Sequence, residues 1–252
     1  MTKKLIIGNW KMNPKSVRQA KDISEKITRG AKKFKNISVV IAPPAPFIGA
    51  TKGILGAQDV FYEKDGAYTG KISADILKSL AVKYVIVGHS EKRYPLSGGG
   101  GDTDETINKK LKAVLNARLT PVLCVGELTR DHQSHYLHFI KEQIIRALKN
   151  VSKNIVGKVI VAYEPVWAIG KNAKNALDGE EALHMNIFIR KVIADIAGAT
   201  TAKKIKIIYG GSVDVKNAEI FISLGKMDGL LVGRESLMPQ KFLGIIENVN
   251  RA

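Results

Sequence analysis

The chain has 252 residues, of which 45% are hydrophobic, and carries a formal net charge of +17. That apolar share supports a sizeable core, and an α/β barrel uses such a length as a single unit. No apolar run reaches the ~20 residues of a membrane span, the N-terminus turns polar too early for a signal peptide, and one cysteine excludes an internal disulfide.

Taken in order, short β-branched runs recur at Leu5–Ile7, Ser38–Ala42, Ile54–Ala57, Tyr84–Val87, Pro121–Val125, Val159–Ala162, Ile205–Ile208 and Gly229–Val232. Between them lie amphipathic stripes: Val17, Ala20, Ile23 and Ile27; then Ile107, Leu111, Val114 and Leu115. A third stripe is Leu137, Ile140, Ile144 and Leu148, and a fourth is Ile187, Ile189, Ile193 and Ile196. Strands alternating with helices imply right-handed crossovers and a parallel sheet. Eight strands in this length predict a closed (β/α)8 barrel, one domain over residues 1–252, with Gly98–Gly101 as a flexible loop inside it.

Active sites of such barrels lie at the C-terminal strand ends. The residues there are Asn9 and Lys11 after the first strand, Gln58 after the third, and His89 with Ser90 and Glu91 after the fourth. Glu127 follows the fifth, Glu164 the sixth, Gly210-Gly211-Ser212 the seventh and Gly233-Arg234 the eighth. Pro165 keeps Glu164 extended, and a polar run, Lys171–Asn175, follows the small residues Ala168 and Gly170. A carboxylate at a strand exit with a hinged flap behind it suits a general base under a lid; a loop cap is the alternative for Glu164 alone. The glycine turns after the last two strands let backbone N–H groups approach an anion, a common phosphate site in barrels.

Metal is not expected: no ligand-spaced set occurs in this ring, and in the trio His132, His135 and His138 helical rotation carries His138 well away from His132. Cys124, inside Pro121–Val125, is read as a small buried hydrophobe. The positive charge implies a field attracting anions, either phosphorylated metabolites or nucleic acid. Because the lysines are spread along the chain, it is read as a solvated surface.

The motifs Gly8-Asn9-Trp10-Lys11-Met12-Asn13, Gly88-His89-Ser90-Glu91, Cys124-Val125-Gly126-Glu127, Tyr163–Gly170 and Tyr209-Gly210-Gly211-Ser212-Val213 resemble the triosephosphate isomerase family, end to end. The resemblance implies a TIM barrel that interconverts dihydroxyacetone phosphate and D-glyceraldehyde 3-phosphate through an enediol(ate), in glycolysis and gluconeogenesis. It implies Glu164 as base, neutral His89 as electrophile, Lys11 (oriented by Glu91) with Asn9 as stabilisers of negative charge, and no cofactor. That enzyme is itself the standard illustration of a glutamate base paired with a neutral histidine, so those roles come with the resemblance. Phosphate would be held by N–H groups of Gly170, Ser212, Gly233 and Arg234.

The same resemblance implies a cytoplasmic homodimer joined through the loop around Thr69, triose phosphates as the small-molecule partners, and neither nucleic acid nor membrane. Three segments depart from the family. The lid reads Gly170-Lys171-Asn172-Ala173-Lys174 where Gly-Thr-Gly-Lys is usual, with Tyr209 and Ser212 expected to pin it. Arg234 replaces a glycine, and Asp59 and Lys71 stand in the interface loop, as sources of a weaker dimer. Competing readings are a barrel that binds phosphosugars without turnover, a nucleic-acid-binding protein lacking any recognition motif, and another phosphate-binding barrel enzyme.

Overall fold

Eight strands, each hydrogen-bonded to its sequence neighbours, run parallel and close into a barrel as β8 pairs back onto β1. They are β1 (Lys4–Asn9), β2 (Ile37–Ala42), β3 (Ile54–Ala57), β4 (Val82–Val87), β5 (Thr120–Val125), β6 (Ile160–Tyr163), β7 (Lys206–Tyr209) and β8 (Gly229–Val232). This computed structural model describes residues 3–95, 98–131, 133–168 and 177–252. Gly170, the lid residues Lys171–Asn175 and His132 lie outside the described residues.

The helices among the described residues are α1 (Val17–Ala31), α2 (Ala74–Ser79), α3 (Ser90–Arg93), α4 (Asp104–Asn116) and α5 (His135–Ala147), followed by α6 (Lys153–Val156), α7 (Gly179–Ala197), α8 (Ala199–Lys204), α9 (Ala218–Ser223) and α10 (Pro239–Arg251). Several begin where a short polar side chain accepts a free N–H of the first turn: Ser16 from Gln19, Thr103 from Thr106 and Asp178 from Glu181.

Side chains alternate across each strand, and the alternation divides the core in two. Leu5, Ile7, Val122, Cys124, Ala162 and Ile208 fill the barrel interior. Their neighbours Ile6, Leu123, Val125, Val161 and Ile207 point outward and are covered by the helices. Cys124 is thus part of the interior packing, 1% exposed.

All eight expected strands are present, with ends shifted by up to two residues. One stripe is corrected. Ile187 is 58% exposed, and the buried face of α7 runs through Ala182, Met185, Ile189, Val192 and Ile193. At 100° per residue Ile187 lies about 200° from Ile189, so an unbroken series of isoleucines cannot all face the barrel.

Candidate active site

The backbone at the end of β6 is held from both sides. Glu164 N–H donates to Val125 O (2.8 Å) and Val166 N–H to Glu127 O (2.9 Å). A Cβ on Gly126 would stand 1.9 Å from Glu164 O, so only glycine fits beside this peptide. The Glu164 side chain turns inward and is 2% exposed. Its Oε2 accepts from Ser90 N–H at 3.4 Å, and its Oε1 lies 3.5 Å from His89 Nε2. The buried Cys124 thiol is pushed well above its usual pKa, by burial first and by the Glu164 charge second.

His89 stands two residues after β4, as the residue before α3. Its Nδ1 accepts from Glu91 N–H at 3.2 Å. A ring nitrogen that accepts carries no proton, so the imidazole is neutral and its proton sits on Nε2, the atom facing Glu164. His89 is 6% exposed.

Lys11 stands after β1 in a left-handed conformation, φ 53°, which is strained for a side chain of this length. Its N–H donates to Asn9 Oδ1 (3.1 Å), and its carbonyl accepts from Gln58 Nε2 (2.8 Å). Gln58 also donates to Ala42 O at 2.9 Å, tying the peptide to β2. At the tip, Lys11 Nζ pairs with Glu91 Oε1 at 2.5 Å. Glu91 therefore does two jobs: its N–H sets the histidine tautomer, and its carboxylate sets the lysine.

Asn9, Lys11, His89, Glu164, Ser212, Gly233 and Arg234 all line one open cavity of about 590 Å³. Glu91 does not line it and reaches it through Lys11. Glu164 and His89 lie side by side in it, and the β8 turn comes within reach of Lys11, whose Cε would lie 3.8 Å from a Cβ on Gly233. Ser212 is already engaged: its N–H (3.1 Å) and its Oγ (2.8 Å) both donate to Ala168 O. To hold an anion by its N–H it must exchange that partner. Asn13, the last residue of the first motif, and Asn217, which nothing in the sequence singles out, also line the cavity.

Beneath Trp167 lies a support that the sequence hinted at only through Glu127. Glu127 Oε1 accepts from Tyr163 OH (2.9 Å), Trp167 Nε1 (2.9 Å) and Arg130 Nε (3.0 Å). The Arg130 guanidinium lies 5.0 Å from the ring centroids of both Trp167 and Tyr136, and Arg130 Nη1 pairs with Glu181 at 2.6 Å. Next to it, the Tyr209 hydroxyl is buried without a hydrogen-bond partner among the described residues. The Leu177 backbone N–H leans toward it without closing a hydrogen bond, and burial holds its pKa far above the ordinary value. Glu127 follows β5, whereas Tyr163 and Trp167 lie at the end of β6, so the cluster forms only when the two neighbouring strands pair.

Asp59, the unusual charge beside Gln58, is met within the subunit by Lys110 (2.7 Å) and Lys92 (3.1 Å). Lys110 is 4% exposed and also holds Asp102 at 2.6 Å. Among the described residues, no group of three or more His, Cys, Asp or Glu could hold a metal ion.

Compared with known proteins, residues 4–249 match the family described as triosephosphate isomerase. A triosephosphate isomerase of Dictyoglomus thermophilum is 38% identical over 256 residues, covering 98% of this chain and 100% of that protein. One from Alkaliphilus oremlandii is 39% identical, covering 98% of this chain and 99% of that protein. One from Mycoplasma capricolum is 38% identical, with 98% of each chain covered.

Proposed function

The chain belongs to the triosephosphate isomerase family and is an intramolecular aldose–ketose isomerase; from that premise we propose that Glu164 is the base of its reaction. The substrates are the triose phosphates of the family, and the reaction is a proton transfer between adjacent carbons. Glu164 takes the proton from the carbon beside the carbonyl and returns it to the neighbouring carbon. His89 donates from Nε2 to the oxygen that becomes negative and shuttles protons between the two oxygens. Lys11 and Asn9 stabilise the charge of the enediolate, in a pocket where preorganised donors are worth most. Phosphate is held by N–H groups of Gly233 and Arg234, with Ser212 and Gly170 joining them on lid closure.

The observation that carries this reading is the pairing of a buried carboxylate with a histidine whose tautomer is fixed by Glu91 N–H, 3.5 Å apart in one cavity. Glu164→Gln keeps the shape and removes the base. A coupled assay on D-glyceraldehyde 3-phosphate is expected to give a kcat lower by about 10³-fold or more, with phosphate-analogue binding retained. Turnover within tenfold of the parent would end the assignment.

We also infer a homodimer working in glycolysis and gluconeogenesis in the cytoplasm. Two observations support the dimer. Met12, next to Lys11, is 93% exposed, an unusual cost for a large apolar side chain beside an active site. The loop from Phe61 to Ser73 is closed at its base by Phe61 N–H to Ile72 O (2.8 Å) and leaves Thr69 exposed. A second copy whose Thr69 loop covers Met12 accounts for both. Sedimentation at high dilution is expected to show dissociation with parallel loss of activity; a fully active monomer would contradict it.

A further inference from the structure

The lysines that look scattered along the chain are gathered by the fold. In a closed parallel barrel every helix returns to the next strand across the same end, the one opposite the active site. Each of the eight strands is reached through a cation there. Lys4 opens β1, Lys35 precedes β2, Lys52 precedes β3 and Lys83 lies near the start of β4. Arg118 precedes β5, Lys158 precedes β6, Lys206 opens β7 and Lys226 precedes β8. Three returns are denser, with Lys32 and Lys33 added ahead of β2, Lys153 ahead of β6, and Lys203 and Lys204 ahead of β7.

These cations are uncompensated. Among the described residues none of them makes an ion pair with a carboxylate, and all but Lys4 and Lys206 are exposed. The one acid in the return segments, Asp228, is taken by Arg190 at 2.6 Å. The last turns of α7 and α10 add Asp195 and Glu247, the latter held by Arg251 at 2.7 Å. Crowding is felt at the centre of the face. Lys4 is pushed below its usual pKa by burial, against Asp228, with Lys206, Lys226 and Arg190 adding repulsion. Helix C-termini favour nearby cations, but that effect fades within the last turn and does not reach Lys4, Lys83 or Lys206, which lie in strands.

We propose that this N-terminal face of the barrel is a docking surface for double-stranded nucleic acid, gripped through its sugar–phosphate backbone without reading sequence. Cations alone suffice for such binding, because released counterions supply the free energy. A sequence pI of about 9.8, with a run of unpaired cations across one face, is the footprint expected of it. Other polyanions fit less well. Single strands are held by stacking on exposed aromatic rings, and the only aromatic side chain in the return segments is Phe34, which is buried under Lys33. Stable attachment to a membrane needs an apolar anchor besides a basic patch. Here the aliphatic side chains are single and on separate returns, Ile54, Leu80, Ile155 and Leu224, none more than 41% exposed. Strands of four to six residues put this face roughly 13–20 Å from the cavity, so a bound duplex leaves the active site open.

The test is fluorescence anisotropy with labelled 24-base-pair DNA and RNA duplexes of random sequence, from about 50 to 200 mM salt. The variants are a triple substitution on the face, Lys158→Glu, Lys203→Glu and Lys204→Glu, and a charge-matched control on outer helix faces, Lys21→Glu, Lys141→Glu and Lys191→Glu. Unchanged isomerase turnover certifies both as folded. The parent is expected to bind with a dissociation constant near or below about 10⁻⁵ M at 100 mM salt, and with a slope of log K on log salt of about −4. The face variant is expected to lose at least about tenfold and to flatten the slope, and the control less than about threefold. Three results would overturn the proposal: no duplex binding by the parent at 100 mM salt, equal losses in both variants, or retention on vesicles with 30% anionic lipid in preference to either duplex.

Discussion

Replacing Gly210 by alanine tests whether the Glu164 carboxylate, the proposed base, is placed by its neighbours or merely attached to the right strand. An alanine Cβ there would stand 2.7 Å from Glu164 Cγ and 3.2 Å from Oε1. Carbon atoms prefer about 3.5–4.0 Å, so one partner must retreat by about 1 Å. The backbone of Glu164 cannot, since Val125 O and Glu127 O hold the peptides on either side of it and Gly126 packs against its carbonyl. Cγ lies near the root of the side chain, so rotation about the outer bonds does not relieve the contact. The carboxylate therefore swings away from His89. A misplacement of this size costs about 10²-fold in rate, or about 2.7 kcal/mol in the barrier. The assay is steady-state turnover of D-glyceraldehyde 3-phosphate beside a thermal melt. We expect kcat to fall about 100-fold with KM changed by less than about threefold, because the phosphate-holding turn after β8 is untouched. A kcat within threefold of the parent, in a protein of unchanged melting temperature, would refute the packing argument.

Glu91→Gln keeps the N–H that fixes the His89 tautomer and removes the charge beside Lys11 Nζ. It should lower kcat/KM about tenfold while leaving the pH profile unshifted, and Glu91→Asp should recover part of the loss; unchanged kinetics in both would show that Lys11 is held by its backbone alone. Stability should decline in alkali. Cys124 is raised well above its ordinary 9.0 and Tyr163 above its ordinary 10.0, both by burial first, and Tyr209 is raised as well. Above those ordinary values the unfolded chain sheds protons that the folded chain keeps. Folding stability is thus full below pH 9 and falls as pH rises, by about 1.4 kcal/mol per pH unit for each group ionised only when unfolded. Denaturant melts from pH 8 to 10.5 should show the decline, and Cys124→Ala should remove the part that begins near pH 9; a flat profile would contradict it.

Much of the molecule was legible because its signals are local. A four-to-six-residue β-branched run is a strand wherever it is buried, and Pro165 keeps Glu164 extended whatever surrounds it. The strand-exit rule then brought Asn9, Lys11, His89, Glu164 and Gly233 to one end, and the cavity contains all five. Where the pattern failed, the reason is rotational: isoleucine at 187 and at 189 looks like one stripe, but an α-helix turns them to different sides.

What only the tertiary structure decided is how residues from different strand ends act on each other. The Glu91 N–H that fixes the histidine tautomer is close in the chain, but the Glu91–Lys11 pair joins β4 to β1, and Gln58 clamps the Lys11 peptide from β3. Arg130 closes over Trp167, and Lys110 neutralises Asp59, across 51 residues. Chain order likewise says that the cations are dispersed, because the fold inserts a helix between each and the next. Closure of the barrel cancels that separation, since every return crosses the same face. Sequence carries each residue's chemistry and local conformation; distance between residues far apart in the chain exists only once the backbone has closed on itself.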